Sequence, residues 1–127
     1  MKEIKIGTIG TAETIVTKEN TAVAVGSGSL PVFSTPMMTA LMEKAAYNAI
    51  AEFLENDETT VGTMLNITHD RATPEGIAIK ATATVTEING REIVFDVIAE
   101  DKSGNIGKGT HKRFVVYAEK FMSKILT

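Results

Sequence analysis

Glu43 is the residue of this chain most in need of a chemical explanation. Between Pro36 and Ala51 the only charges are Glu43 and Lys44, and the helical neighbours of Glu43 are Thr39, Ala40, Ala46, Tyr47 and Ile50. No cation on the same helix is placed to pair with it. A carboxylate on an apolar surface costs several kcal/mol unless it meets a partner, cleft water or a proton, which makes Glu43 a candidate acid, base or nucleophile. The plainer reading is a carboxylate at the solvent edge of an apolar stripe. His69 closes a strand-like run and opens the loop Asp70-Arg71-Ala72-Thr73-Pro74-Glu75-Gly76. Such a position suits a base facing a cleft, and equally a solvated loop histidine. Thr35 offers a hydroxyl at a helix start. His111 alternates with Lys112 in the last strand, where a purely structural role is the simpler account.

The element that must carry Thr35 and Glu43 is Val32 to Glu55. Ser34 or Thr35 can cap it, and Pro36 suits the first turn because its missing N–H is unused there. Met38, Leu41, Ala45, Ala49 and Phe53 form one stripe, and Met37, Met42, Ala46, Ile50 and Leu54 widen it until nearly the whole circumference is apolar. The pattern predicts a helix wrapped by other structure.

The rest of the chain alternates. Residues 11 to 17 and 20 to 26 read as an opening strand pair, or as one strand and its lead-in. Gly26-Ser27-Gly28-Ser29 reads as a loop before the helix that could serve as a mobile flap. Val61 to His69 reads as a strand, and Ile77, Ile79, Ala81, Ala83 and Val85 alternate with more polar partners in the next. Asn89-Gly90 gives a type I′ hairpin signal, Ile93 to Ala99 continue the alternation, and Ser103-Gly104-Asn105 turns into a strand ending at Tyr117. Phe121, Met122, Ile125 and Leu126 suggest a short terminal helix. One strand, a long apolar helix and four further strands predict an α+β fold in which an antiparallel sheet curls around a single central helix, the hot-dog architecture. One helix cannot cover a broad sheet, so a homodimer joined edge to edge is expected, with its sites near the subunit boundary.

Length and composition frame that expectation. The 127 residues suit one domain spanning 1–127, and 43% hydrophobic content with a net charge of -3 describes a globular protein. The charge gives no basic excess for nucleic acid. No run approaches a membrane span and no signal-peptide core opens the chain, so a cytoplasmic location without membrane association is expected. With no cysteine and two histidines, no metal is expected.

Several runs resemble one family: Val32-Phe33-Ser34-Thr35 with Leu41-Met42-Glu43; Gly62-Thr63; Thr68-His69 with Ala72-Thr73-Pro74 and Gly76; and Gly107 with Gly109-Thr110-His111 and Arg113. Together they resemble the fluoroacetyl-CoA thioesterase-like branch of the hot-dog thioesterases. The resemblance implies hydrolysis of an acyl-CoA or acyl-pantetheine thioester to a free acid. Coenzyme A is then part of the substrate, and no separate cofactor is implied. It places a catalytic triad on Thr35, Glu43 and His69 and an oxyanion-binding N–H at or near Gly62. Glu43 would attack the thioester carbonyl or position water as a base with His69. Lys112 and Arg113 could meet coenzyme A phosphates, or form a solvated strand face. The aromatic-rich lid of the fluoroacetyl-specific enzymes has no counterpart in Gly26 to Pro31, which implies broad acyl tolerance. A hot-dog hydratase or dehydratase and a non-catalytic acyl-CoA-binding module are the competing readings, since fold alone does not choose a chemistry.

Overall fold

The computed structural model describes Met1–Thr127. Five antiparallel strands form one sheet in the order β1-β3-β4-β5-β2: β1 (Ile9–Ile15), β2 (Glu58–His69), β3 (Ala78–Asn89), β4 (Glu92–Asp101) and β5 (Gly104–Tyr117). The helices are α1 (Ala22–Val25), α2 (Thr35–Ile50) and α3 (Ala118–Ile125). Helix α2 lies in the concavity of the sheet. Met38, Leu41, Met42, Ala45, Ala46, Ala49 and Ile50 are buried against the inward-facing residues of β3 and β4, among them Ile79, Ala81, Ala83, Val85, Ile93, Phe95 and Val97. The wrapping is incomplete: Met37 and Tyr47 remain exposed on the outer side of the helix.

The local signals explain the ends of α2. The Ser34 hydroxyl accepts the Met37 N–H at 3.3 Å, and Pro36 in the first turn has no N–H to leave unpaired. β1 crosses the helix at Gly10, where an added Cβ would lie 2.3 Å from both the Ala45 carbonyl oxygen and the Ala49 nitrogen. The helix can settle that deeply because glycine faces alanine at the crossing.

Three sequence expectations change. Residues 20–26 do not form a second strand: the Thr21 hydroxyl caps a short helix at the Ala24 N–H, and Gly26 ends it with φ +80. Side-chain capping and the glycine override the β-branched composition there. The flap expected at Gly26 to Pro31 is tied down, because the Val23 and Ser27 amides donate to the carbonyls of Leu30 and Ala22. At the β3–β4 hairpin Asn89 pairs with Glu92, so Gly90 and Arg91 make the turn. Only Gly90 of the two has positive φ, the II′ rather than the I′ pattern.

The candidate active site

His69 is the last residue of β2, and Thr35 is the first of α2. The backbone brings them together through two neighbouring contacts: the Phe33 N–H donates to the Thr73 carbonyl at 2.8 Å, and Val32 bridges to Pro74. The loop after His69 is also pinned to β5, where the Ile106 carbonyl accepts the amides of Asp70 and Arg71. As a result Thr35 Oγ1 lies 2.8 Å from His69 Nδ1. The pair faces a cavity of about 280 Å³ lined also by Ser27, Val32, Phe33 and Arg71. Burial lowers the pKa of His69, outweighing the raising effects of the Arg71 backbone and the Asp70 charge. The imidazole is thereby kept neutral and available as a base near neutrality. Its Nε2 is buried without a hydrogen-bond partner in the chain.

Glu43 is elsewhere. It stands eight positions beyond Thr35, an axial rise of about 12 Å on a helix. Its Oε1 lies 3.7 Å from Arg113 Nη1 and 4.0 Å from His111 Nε2. Gly62 belongs to this second cluster, since a Cβ there would come within 2.7 Å of Glu43 Oε1. The structure therefore brings Thr35 and His69 together within one chain and groups Glu43 with Gly62 and Arg113.

Arg113 is no part of a solvated strand face: it and His111 are buried on the inner side of β5, whereas Lys112 points the other way. Arg113 Nε donates to Thr60 Oγ1 at 2.9 Å and Nη2 to the Thr60 carbonyl at 3.2 Å, with the Tyr47 ring 6.0 Å away. Burial works against its charge, while Glu43 and Tyr47 support it. His111 Nδ1 lies 2.8 Å from the Met64 carbonyl, beside a register shift between Gly62 and Met64 that re-aims this part of β2. Nδ1 must donate to that oxygen, which leaves Nε2 to accept from Arg113 Nη1 at 3.1 Å. The structural role expected of His111 thus includes holding Arg113. The period-two alternation that buries Val115 already put His111 and Arg113 on its face.

Burial, followed by the adjacent Arg113 charge, holds the His111 pKa below its usual value, and burial does the same for His69. Both groups bind protons more readily unfolded than folded. Their contribution to stability is present above the unfolded value of about 6.5 and is lost as pH falls from there through the lower folded-state values. Urea unfolding at pH 7.5 and pH 5 is expected to show a lower midpoint at pH 5, and His111→Gln to reduce that difference. A midpoint independent of pH across this range would contradict the protonation states assigned here.

A curled antiparallel sheet closed over one helix, with a hydroxyl–imidazole pair at the helix start, defines a hot-dog protein. The model of the fluoroacetyl-CoA-specific thioesterase family matches residues 16–119. The chain belongs to that family. It is similar to the fluoroacetyl-CoA thioesterase of Streptantibioticus cattleyicolor, with 42% identity over 94 residues covering 74% of this chain and 68% of that protein. A solved structure of a fluoroacetyl-CoA thioesterase superposes with a TM-score of 0.91 at 34% identity, covering 98% of this chain and 96% of the other. A thioesterase superfamily member from Thermus thermophilus gives a TM-score of 0.91 at 27% identity, over 98% and 93% of the two chains. No helix of this chain is long and apolar enough to cross a membrane.

Proposed function

We propose that this protein is an acyl-CoA thioesterase in which Thr35 and His69 carry the reaction. The observation behind this reading is the 2.8 Å contact between Thr35 Oγ1 and His69 Nδ1 at a cavity, the spacing of a nucleophile and its base. Neutral His69 takes the hydroxyl proton as Oγ1 attacks the thioester carbonyl. The tetrahedral intermediate collapses to an acyl-Thr35 ester and releases the thiol, protonated by His69. Water then attacks the ester with His69 again as base, yielding the acid and restoring the hydroxyl. A coenzyme A ester as substrate fits a cytoplasmic location, which this reading includes.

Thiol release should be measured across fluoroacetyl-CoA, acetyl-CoA and longer esters, with rapid-quench mass spectrometry to find the acyl group on Thr35. Turnover with comparable specificity constants across the series is expected, because the loop over the cavity carries no aromatic between Gly26 and Pro31. A strong preference for fluoroacetyl over acetyl would contradict the breadth, and no thiol release from any ester would sink the activity.

The same reading includes a homodimer. β2 pairs only with β5, so its outer edge of twelve residues is open to a second copy. Antiparallel pairing of two β2 strands would set the His69 end of one beside the half of the other that begins at Glu58 and contains Gly62. That arrangement carries the Glu43–Arg113 cluster of one copy toward the Thr35–His69 pair of its mate, and supplies surroundings for the buried His69 Nε2. Light scattering after size-exclusion chromatography is expected to give twice the 13.6 kDa chain mass. A monomer at micromolar concentration would remove the shared site.

A further inference from the structure

Asp101 lies at the end of β4 and touches neither Thr35 nor His69. Its Oδ2 accepts the Thr73 hydroxyl at 2.8 Å, and its Oδ1 accepts the Ser103 N–H at 2.8 Å. Thr73 is fully buried, and its own carbonyl accepts the Phe33 N–H, two residues before Thr35. Thr73 also belongs to the loop that begins directly after His69. One residue therefore ties three pieces together: the loop after His69, the approach to Thr35 and the β4–β5 turn. Arg71 completes the fastening from the loop side, with Nη1 donating to the Ser103 carbonyl at 3.1 Å.

From this geometry we infer that Thr73 and Asp101 are positioning residues that fix the separation of Thr35 and His69. The inference rests on the thioesterase reading for its kinetic consequences, though the geometry of His69 can be measured without turnover. The loop after His69 meets the approach to Thr35 through main chain at Thr73 and Pro74, and of these two only Thr73 also fastens that junction to β4, through its side chain. Without its hydroxyl bond, Thr73 is free to shift against β4, and the Phe33 amide shifts with it. A base and nucleophile at 2.8 Å have little tolerance for such movement, since misplacement by about 1 Å can cost on the order of 10²-fold in rate. Burial raises the Asp101 pKa, but the Thr73 hydroxyl, the Ser103 and Gly104 amides and the Arg71 charge outweigh it, so the acceptor remains a carboxylate.

The test compares Thr73→Val, Thr73→Ser and Asp101→Asn with the parent. Valine keeps the shape and removes the hydroxyl; serine keeps the hydroxyl; asparagine places an amide where two donors already point. For Thr73→Val and Asp101→Asn, kcat is expected to fall about 10-fold or more with KM within about 2-fold, and Thr73→Ser to recover most of the loss. In NMR titrations the His69 imidazole of Thr73→Val should titrate closer to an ordinary histidine, because the loosened loop exposes it. Ile4→Ala, buried in the N-terminal segment and without contact to Thr35, His69, Glu43 or Arg113, supplies a comparison with lowered thermal stability and unchanged kcat. Parental kcat in Thr73→Val, or an unmoved His69 titration, would overturn the inference. If the parent releases no thiol at all, the thioesterase reading fails, and the His69 titration alone then decides the positioning role.

Discussion

Replacing His69 with alanine is expected to lower kcat by about 10³-fold, within the range for a lost general base. The expectation follows from position and protonation together. The ring nitrogen is 2.8 Å from the Thr35 hydroxyl, and burial keeps the imidazole neutral. The parent's rate should accordingly rise with pH through a value below the ordinary histidine range and then level off, and that lower limb should vanish in the variant. Because His69 is only partly buried at a strand end, the variant should remain folded, which circular dichroism and thermal melting would check. Thr35→Ala should be similarly slow and leave no acyl adduct, whereas Thr35→Ser should retain turnover. A His69→Ala enzyme working at the parent rate would remove the imidazole from the mechanism.

The second large effect is expected at Glu43. Glutamine is nearly isosteric, yet it leaves Arg113 buried without the carboxylate 3.7 Å away. If Glu43 serves the Thr35–His69 pair of a second copy, Glu43→Gln should lower kcat by roughly 10²-fold while the dimer and fold persist. Single turnover in labelled water then separates its roles. Label in the Glu43 carboxylate marks direct attack through an anhydride, whereas label confined to the product acid together with a quench-trapped acyl group on Thr35 marks water attack on the acyl-Thr35 ester. Unchanged kcat in Glu43→Gln would reduce Glu43 to a charge partner of Arg113. Mixed dimers of Glu43→Gln and His69→Ala subunits add a direct check. Half of the shared sites in such a dimer would have both residues intact, so activity should reappear on mixing.

Much of the architecture was legible in the residues because it rests on local signals. Ser34 and Pro36 mark the start of α2 through bonds made within one helical turn, and the alternation from Ile77 to Ala99 follows from the two-residue repeat of a strand. Once one long apolar helix and an antiparallel meander were in place, the need to cover both left few alternatives to a sheet curled around the helix. The family resemblance lay in motifs distributed from Val32 to Arg113, and residues 16–119 match the family.

Other features depended on contacts far apart in sequence. Composition left residues 20–26 readable as a strand; a threonine cap, a left-handed glycine and the bond from the Ala22 amide to the Val32 carbonyl made them a helix and turn. Lys112 and Arg113 read as one basic pair, yet the pleat sends one outward and buries the other beside His111 and Glu43. Thr35 and His69 are 34 positions apart, and Thr73 and Asp101 are 28 apart. Residue types made a hydroxyl, a carboxylate and an imidazole available for chemistry. Which of them touch was decided by strand register, the shift between Gly62 and Met64, and the loop bonds around Thr73, because a one-residue change in pairing turns a side chain to the opposite face of a sheet.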